Sequence, residues 1–231
     1  MSKMSKIVIL TGAGISAESG LGTFRADTGL WAEHRVEDVA TPEGFARDPQ
    51  LVVDFYNARR AQAEIAEPNA GHFALSKLQQ DFDGEVILVT QNVDHLHEKA
   101  ASPNVIHMHG ALGGALCGTC DHRWPAPLKM DVADQCPRCN HAGARPDIVW
   151  FGEMPYQMDL IFDHLAGADI FAAVGTSGNV YPAAGFVAEA RRAGAQTVEF
   201  NLEPSAVGSQ FSEFRAGSAS QTLPVWVQSL L

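Results

Sequence analysis

At 231 residues the chain is long enough for one large domain, or a domain carrying an inserted module, with a substantial core. Apolar residues make up 46% and no apolar run approaches the length of a membrane span, so no membrane partner is expected. A net charge of −11 argues against direct binding to nucleic-acid backbones, which takes clustered Lys and Arg, and suits lysine-bearing partners.

Met1 to Lys6 run straight into an apolar stretch without a hydrophobic signal region, which predicts a cytoplasmic protein. Ile7–Leu10 is short, bounded and β-branched, and reads as a buried strand. Gly12, Gly14 and Ala17 then form a G-x-G-x-x-A turn into a helix. Glycines there let backbone approach a pyrophosphate, and the helix N-terminus offers free N–H donors. Such turns also occur with no ligand. Thr23-Phe24-Arg25 opens a polar stretch reaching Trp31, where Arg25 is either a surface residue or a guanidinium near the pyrophosphate.

Asp48 and Pro49 predict the N-cap and first residue of an amphipathic helix. Tyr56 and Arg59 are three apart on it and can meet on its surface. A second strand, Val86–Val89, leads to Gln91-Asn92-Val93-Asp94. Asn92 and Asp94 can cap a helix, or supply the amide and carboxylate of an amide-recognising pocket. A third, Val105–Met108, ends at His109-Gly110, and His109 is either a general base or a plain strand-end histidine. His95, His97, His107 and His109 make two H-x-H pairs. His107 and His109 share a strand face and could ligate a metal, whereas His95 and His97 fall at a helix start and point apart.

Cys117-x-x-Cys120 and Cys136-x-x-Cys139 are separated by fifteen residues, the spacing of a structural four-thiolate zinc site. Disulfides and a redox pair are the competing readings. Asp147 to Glu153 is extended and apolar until Gly152. The strands Ile170–Val174 and Thr197–Phe200 end at Gly175-Thr176-Ser177 and Asn201-Leu202-Glu203. Strands alternating with helices predict an α/β fold, a Rossmann-like doubly wound parallel sheet over 1–30, 71–112 and 146–231. Residues 31–70 and 113–145 interrupt the alternation and predict a smaller helical and zinc-binding module within a single 1–231 domain. Asn92, Asp94, His109 and Thr176 all follow strands, so they should converge at one rim of the sheet.

Gly-Ala-Gly-Ile-Ser, Gln-Asn-Val-Asp and His-Gly, in this order with the four cysteines, resemble the sirtuins, NAD-dependent protein lysine deacylases. The resemblance runs from Gly12 to Ser218-Ala219 and is closest to short bacterial enzymes that remove acidic acyl groups. It implies that Ala13, Ile15 and Phe24 wall a nicotinamide pocket completed by Asn92 and Asp94. Gln91 and Asn92 would meet the ribose, with Val93 in the same segment. The Thr23–Trp31 loop would order over that ribose; it has Gly22 where the family often has proline. Gly175, Thr176 and Ser177 would hold the nicotinamide-side phosphate and ribose, Asn201, Leu202 and Glu203 the adenosine ribose, and Ala219 the adenine. Val149, Phe151, Gly152 and Glu153 would border the acyl-lysine channel, with their backbone pairing to substrate peptide. Tyr-x-x-Arg would hold a succinyl carboxylate.

By the same resemblance His109 is the base and Asn92 belongs to the catalytic set. The acyl oxygen attacks C1′ of the nicotinamide ribose, nicotinamide leaves, and His109 deprotonates a ribose hydroxyl that attacks the resulting imidate. The products are free lysine and O-acyl-ADP-ribose, and zinc is structural only. Two rivals stand beside this. An NAD(P)-dependent oxidoreductase would need an acidic residue after its second strand, and Glu33 and Glu37 follow no convincing strand. A non-enzymatic zinc-binding module would need only the cysteines.

Overall fold

The computed structural model describes residues 5–22, 31 and 33–231, and the statements below concern those residues. In chain order the strands are β1 (Lys6–Thr11), β2 (Glu85–Thr90), β3 (Ile106–His107), β4 (Gly110–Cys117), β5 (Arg123–Pro125), β6 (Ala144–Ile148), β7 (Ile170–Val174), β8 (Gln196–Asn201) and β9 (Glu213–Ala216). The helices are α1 (Ala13–Ala17), α2 (Val36–Val39), α3 (Pro42–Arg47), α4 (Pro49–Ile65), α5 (Ala70–Asp81), α6 (Leu96–Lys99), α7 (Met158–Ala166), α8 (Phe186–Arg192) and α9 (Ala219–Leu230). No helix is long and apolar enough to cross a membrane.

Six strands form one sheet in the order β3-β2-β1-β7-β8-β9, every pair parallel. Alternation along β1 explains why it lies at the centre. Ile7 and Ile9 enter the core under α5 and α9, while Val8 and Leu10 enter the opposite core under α7 and α8. From β1 the chain builds outward first through β2 and β3, then through β7, β8 and β9. The order therefore reverses between β1 and β7, and the crevice at their carboxyl ends is where such sheets take ligands. The register sets Thr11 opposite both Thr90 and Val174, so the loops after β1, β2 and β7 start level with one another.

The second sheet, β5-β4-β6, is antiparallel. It runs from Gly110 to Ile148, slightly beyond the interrupting 113–145 segment on both sides. Weak apolar content hid a sheet whose edges pair through backbone. Of the extended Asp147 to Glu153 stretch, only Asp147 and Ile148 lie in a strand, because β6 ends at Ile148. Helix α4 begins as expected: Asp48 Oδ1 accepts from Leu51 N–H at 3.0 Å and Pro49 occupies the first helical position. It packs Val52, Phe55 and Tyr56 against Leu112, Ile148 and Trp150, fastening the small module beside the large sheet. Arg60, buried on the same helix, donates to the carbonyls of Leu112 and Leu128 and to Asn57 Oδ1.

Candidate functional site

The glycines after β1 serve a purpose beyond approach to a ligand. A Cβ on Gly14 would lie 2.6 Å from Gly175 Cα, and one on Gly12 would lie 2.8 Å from the Gly175 carbonyl oxygen. Gly175 itself sits at φ +61. Gly12 N–H donates to the Val174 carbonyl and Gly14 N–H to the Gly175 carbonyl, both at 2.9 Å. The turns after β1 and β7 are thus interlocked backbone to backbone, and side chains on them would separate the crevice walls.

The Gln91–Asp94 turn closes over this pair. Asn92 Nδ2 donates to the Gly12 carbonyl and to Ser16 Oγ, each at 3.1 Å, and Ser16 Oγ donates to Asp94 Oδ2 at 3.0 Å. Asn92 and Asp94 are each only 8% exposed. Asp94 Oδ1 also accepts from Leu96 N–H at 3.0 Å, so one carboxylate oxygen satisfies a free N–H at the start of α6 while the other holds Ser16. Ser16 is the member that reading the sequence missed, although it stands inside Gly-Ala-Gly-Ile-Ser. Gln91 Nε2 reaches Thr176 Oγ1 at 3.1 Å, and Asn201 Nδ2 donates to the Thr176 carbonyl at 2.9 Å. Four loops from four strand ends therefore meet through side-chain amides. Ala13 and Ile15 lie on α1 in the same crevice and Val93 is buried in the turn. Leu202 is 72% exposed beyond Asn201, and Ala219 opens α9. Thr23, Phe24 and Arg25 lie outside the described residues.

His109 is half-buried beside this rim, and its Nδ1 lies 3.1 Å from the Gln91 carbonyl. A carbonyl only accepts, so the proton sits on Nδ1 and Nε2 keeps its lone pair. Burial pushes the His109 pKa below the ordinary histidine value, with the Gln91 hydrogen bond working in the other direction. Gly110 follows at φ +77, where an added Cβ would lie 2.0 Å from the Asp147 carbonyl oxygen, and Val149 N–H donates to the His109 carbonyl. His109 and the 149–153 segment are joined directly.

The H-x-H metal reading is corrected. Both nitrogens of His107 face acceptors, the Asn92 carbonyl at 3.2 Å and Glu98 Oε1 at 2.6 Å. Burial opposes charge on His107, but the Glu98 hydrogen bond and charge raise its pKa above the ordinary value. A ring whose two nitrogens both face acceptors offers no lone pair to a metal. Among the described residues the single metal-ligand cluster is Cys117, Cys120, Cys136 and Cys139, with sulfurs within 4.8 Å of one another. Two of the Sγ–Sγ separations are 3.7 Å, close to the roughly 3.8 Å that a tetrahedral thiolate shell of zinc requires. Asp121 and Asn140, each directly after the second cysteine of its pair, turn the knuckles in the left-handed region at φ 55 and 57. These thiols suit zinc, and a closed four-sulfur shell leaves no position for water or substrate.

Tyr56 and Arg59 lie on α4 of the small module. Tyr56 is buried and its hydroxyl accepts from Trp150 Nε1 at 3.0 Å. Burial pushes the Tyr56 pKa up to about 12, keeping the hydroxyl protonated as a donor. Arg59 stacks its guanidinium 4.9 Å from the Trp31 ring centre and 5.9 Å from that of Phe55. Trp31, expected in the loop over the nicotinamide ribose, lies against Arg59 and Phe55. Burial lowers the Arg59 pKa against the favourable electrostatics of Tyr56 and Asp94, and no carboxylate among the described residues bonds to it.

Along 149–153, the N–H groups of Val149, Phe151 and Glu153 are used internally, by the carbonyls of His109, Ala40 and Trp150. That leaves Gly152 N–H, at φ +93 and exposed, as the donor in this segment without a partner among the described residues. The Glu153 side chain is committed too. Arg145 clasps it with two hydrogen bonds of 2.6 and 2.9 Å, and Glu153 Oε2 accepts from Trp150 N–H at 2.8 Å. Glu153 therefore orients Trp150 and, through it, Tyr56. Neither Arg145 nor Trp150 carried a sequence signal, since their partners are set by the tertiary fold.

The oxidoreductase rival loses its acidic residue here. The second strand in chain order starts at Glu85, so Glu33 and Glu37 come before it rather than after it. Comparison with known proteins agrees with the sirtuin resemblance. The chain matches the Sir2 family over residues 12–182. It is 54% identical over 237 residues to a Caulobacter vibrioides protein named NAD-dependent protein deacylase, covering 100% of this chain and 99% of that one. It is 56% identical over 229 residues to a Shigella flexneri protein of the same name, covering 98% and 84%. A solved Sir2 homologue–NAD complex superposes with a TM-score of 0.90 at 35% identity, covering 99% of this chain and 90% of that one. Interlocked glycine turns, the Asn92–Ser16–Asp94 triangle and His109 on one rim, together with this similarity along the chain, lead to one conclusion: the chain belongs to the Sir2 family.

Proposed function

We propose that this chain is an NAD-dependent protein lysine deacylase that accepts acidic acyl groups, succinyl foremost, and acetyl as well. The observation that carries the reading is His109, with a free Nε2 lone pair, set by one hydrogen bond to the same turn that carries Asn92 and Asp94. NAD is a co-substrate and fits the crevice at the reversal of strand order, where Gly12, Gly14, Gln91 and Thr176 converge. His109 takes a proton from a ribose hydroxyl after nicotinamide has departed, and its lowered pKa keeps it in the base form near neutrality. Asn92 and Asp94 hold the pocket dry and polar. Gly152 N–H and the neighbouring carbonyls are suited to orient the substrate main chain.

Arg59 and Tyr56 favour a carboxylate at the acyl end. A half-buried guanidinium gains from an anion, and a succinyl carboxylate supplies one while the Tyr56 hydroxyl adds a donor. The four cysteines hold one structural zinc and take no part in bond making, and thiolates persist best in a reducing, cytoplasmic setting. The deciding experiment incubates the protein with NAD and matched succinyl- and acetyl-lysine peptides. Nicotinamide release coupled to O-acyl-ADP-ribose by mass spectrometry is expected. Formation of reduced cofactor, or no consumption of NAD, would sink the proposal.

A further inference from the structure

Two buried histidines that the proposed chemistry does not use stand directly behind the Asn92 turn. His72 is 0% and His97 1% exposed, with ring centres 5.0 Å apart. Each has one nitrogen in a hydrogen bond and one without a partner: His72 Nε2 and His97 Nδ1. Leaving both unpaired in a dry core is costly, and the pair can satisfy each other.

We propose that His72 and His97 are positioning residues of the nicotinamide pocket, a pair of neutral rings linking the N-cap of α5 to the Asn92 turn through His72 Nε2–H and His97 Nδ1, directly or across one buried water. The tautomers follow from the partners at the two ends. His72 Nδ1 accepts from Asn69 N–H at 3.3 Å, so its proton lies on Nε2 and needs an acceptor. His97 Nδ1 is that acceptor, which places the His97 proton on Nε2, 3.0 Å from Thr11 Oγ1. Thr11 Oγ1 donates to Thr90 Oγ1 at 2.8 Å, and Thr90 Oγ1 accepts from Asn92 N–H at 3.0 Å. At the other end Asn69 Nδ2 donates to the Ile15 carbonyl and Ser19 Oγ, gripping α1, whose Ser16 returns to Asn92. The circuit closes only if the two histidines are joined. Burial holds both rings neutral, pushing His72 down to about 4 and His97 down to about 3, against the charges of Asp94 and Glu18 on the first and Glu98 on the second. A neutral ring at each position is what a one-directional chain requires.

The link from the circuit to nicotinamide rests on the deacylase reading, whereas the circuit itself does not. Nitrogen-15 NMR of the wild-type protein without NAD, at neutral pH, is expected to show both rings uncharged with the proton on Nε2. A proton on His97 Nδ1, or a charged His72, would overturn the proposal whether or not any variant folds. Calorimetric titration with NAD then tests positioning without turnover. His97→Phe keeps a ring but no nitrogen and should weaken NAD binding threefold or more. His97→Gln, whose Nε2 can reach Thr11 Oγ1, should recover most of it. In peptide assays His97→Phe should leave KM for the acyl peptide unchanged. Wild-type affinity in a folded His97→Phe protein, or equal loss in the two variants, overturns the proposal. Absence of wild-type deacylation alongside the expected tautomers would count against the deacylase reading alone.

Discussion

The Gln91 carbonyl fixes the His109 proton on Nδ1, so the rate should depend on one specific lone pair at Nε2. Replacing His109 by Ala should abolish deacylation while NAD still binds, measured by turnover and by calorimetry on the same preparation. Near-normal turnover in the folded variant would remove His109 from the mechanism. The sign of the pH effect follows from burial: the pKa is lowered, so the base form persists below the ordinary histidine value of 6.5. At the acyl end, Arg59→Met should raise KM for succinyl peptides by about tenfold or more, since a hydrogen bond to a charged group contributes roughly 1.5–3 kcal/mol. Acetyl-lysine carries no charge there, and its kinetics should change little. Equal losses on both substrates would mean that Arg59 serves the packing of Trp31 and Phe55 instead. Trp150 was invisible beforehand because an indole that positions a phenol looks, in one dimension, like any core aromatic.

At the scale of elements, the small module is held by two fasteners of different kinds. Helix α4 contributes an apolar seam to β4 and β6, and the cysteine knuckles close the far end of the same sheet. Cys117→Ser or Cys136→Ser breaks a shell that contributes directly to folding, and should lower the melting midpoint by roughly 10 °C or more. A chelator should act in the same direction, followed by thermal melts with zinc content measured in parallel. A zinc-free protein with unchanged melting and turnover would refute the structural site. The cysteines were legible as a set, because ligand spacing is a local signal. The three-stranded sheet around them was not, because Gly110–Cys117 reads as small residues without alternation and owes its pairing to β6.

Across the whole molecule, burial of titratable groups sets a pH window for stability. His72 and His97 have folded pKa values pushed down to about 4 and about 3 from 6.5, so the unfolded chain binds more protons once the pH drops below 6.5. Their contribution is complete above that value and is lost as pH falls toward 4 and 3. Burial works against the charged form of Glu18 and Glu153, but their hydrogen bonds to Ser220 and Arg145 prevail, so both are lowered and add to the loss below about 4.5. Thermal midpoints should therefore be nearly flat above pH 7 and fall steadily from pH 6.5 to 4. His72→Gln should flatten the upper part of that fall, and a slope unchanged by this substitution would show that other groups dominate it.

The sequence by itself determined the strand interiors, the helix start at Asp48-Pro49, the zinc-type cysteine set and the residues at the strand ends, because hydrophobic period, capping and ligand spacing are written over a few neighbouring positions. Tertiary structure alone decided that β7 lies beside β1, that Gly14 must be glycine to admit Gly175, and that Glu153 answers to Arg145 while Trp31 lies under Arg59. It also brought His72 against His97 from different helices. In each of these cases a side chain's type permits many partners, and packing around the crevice selects one.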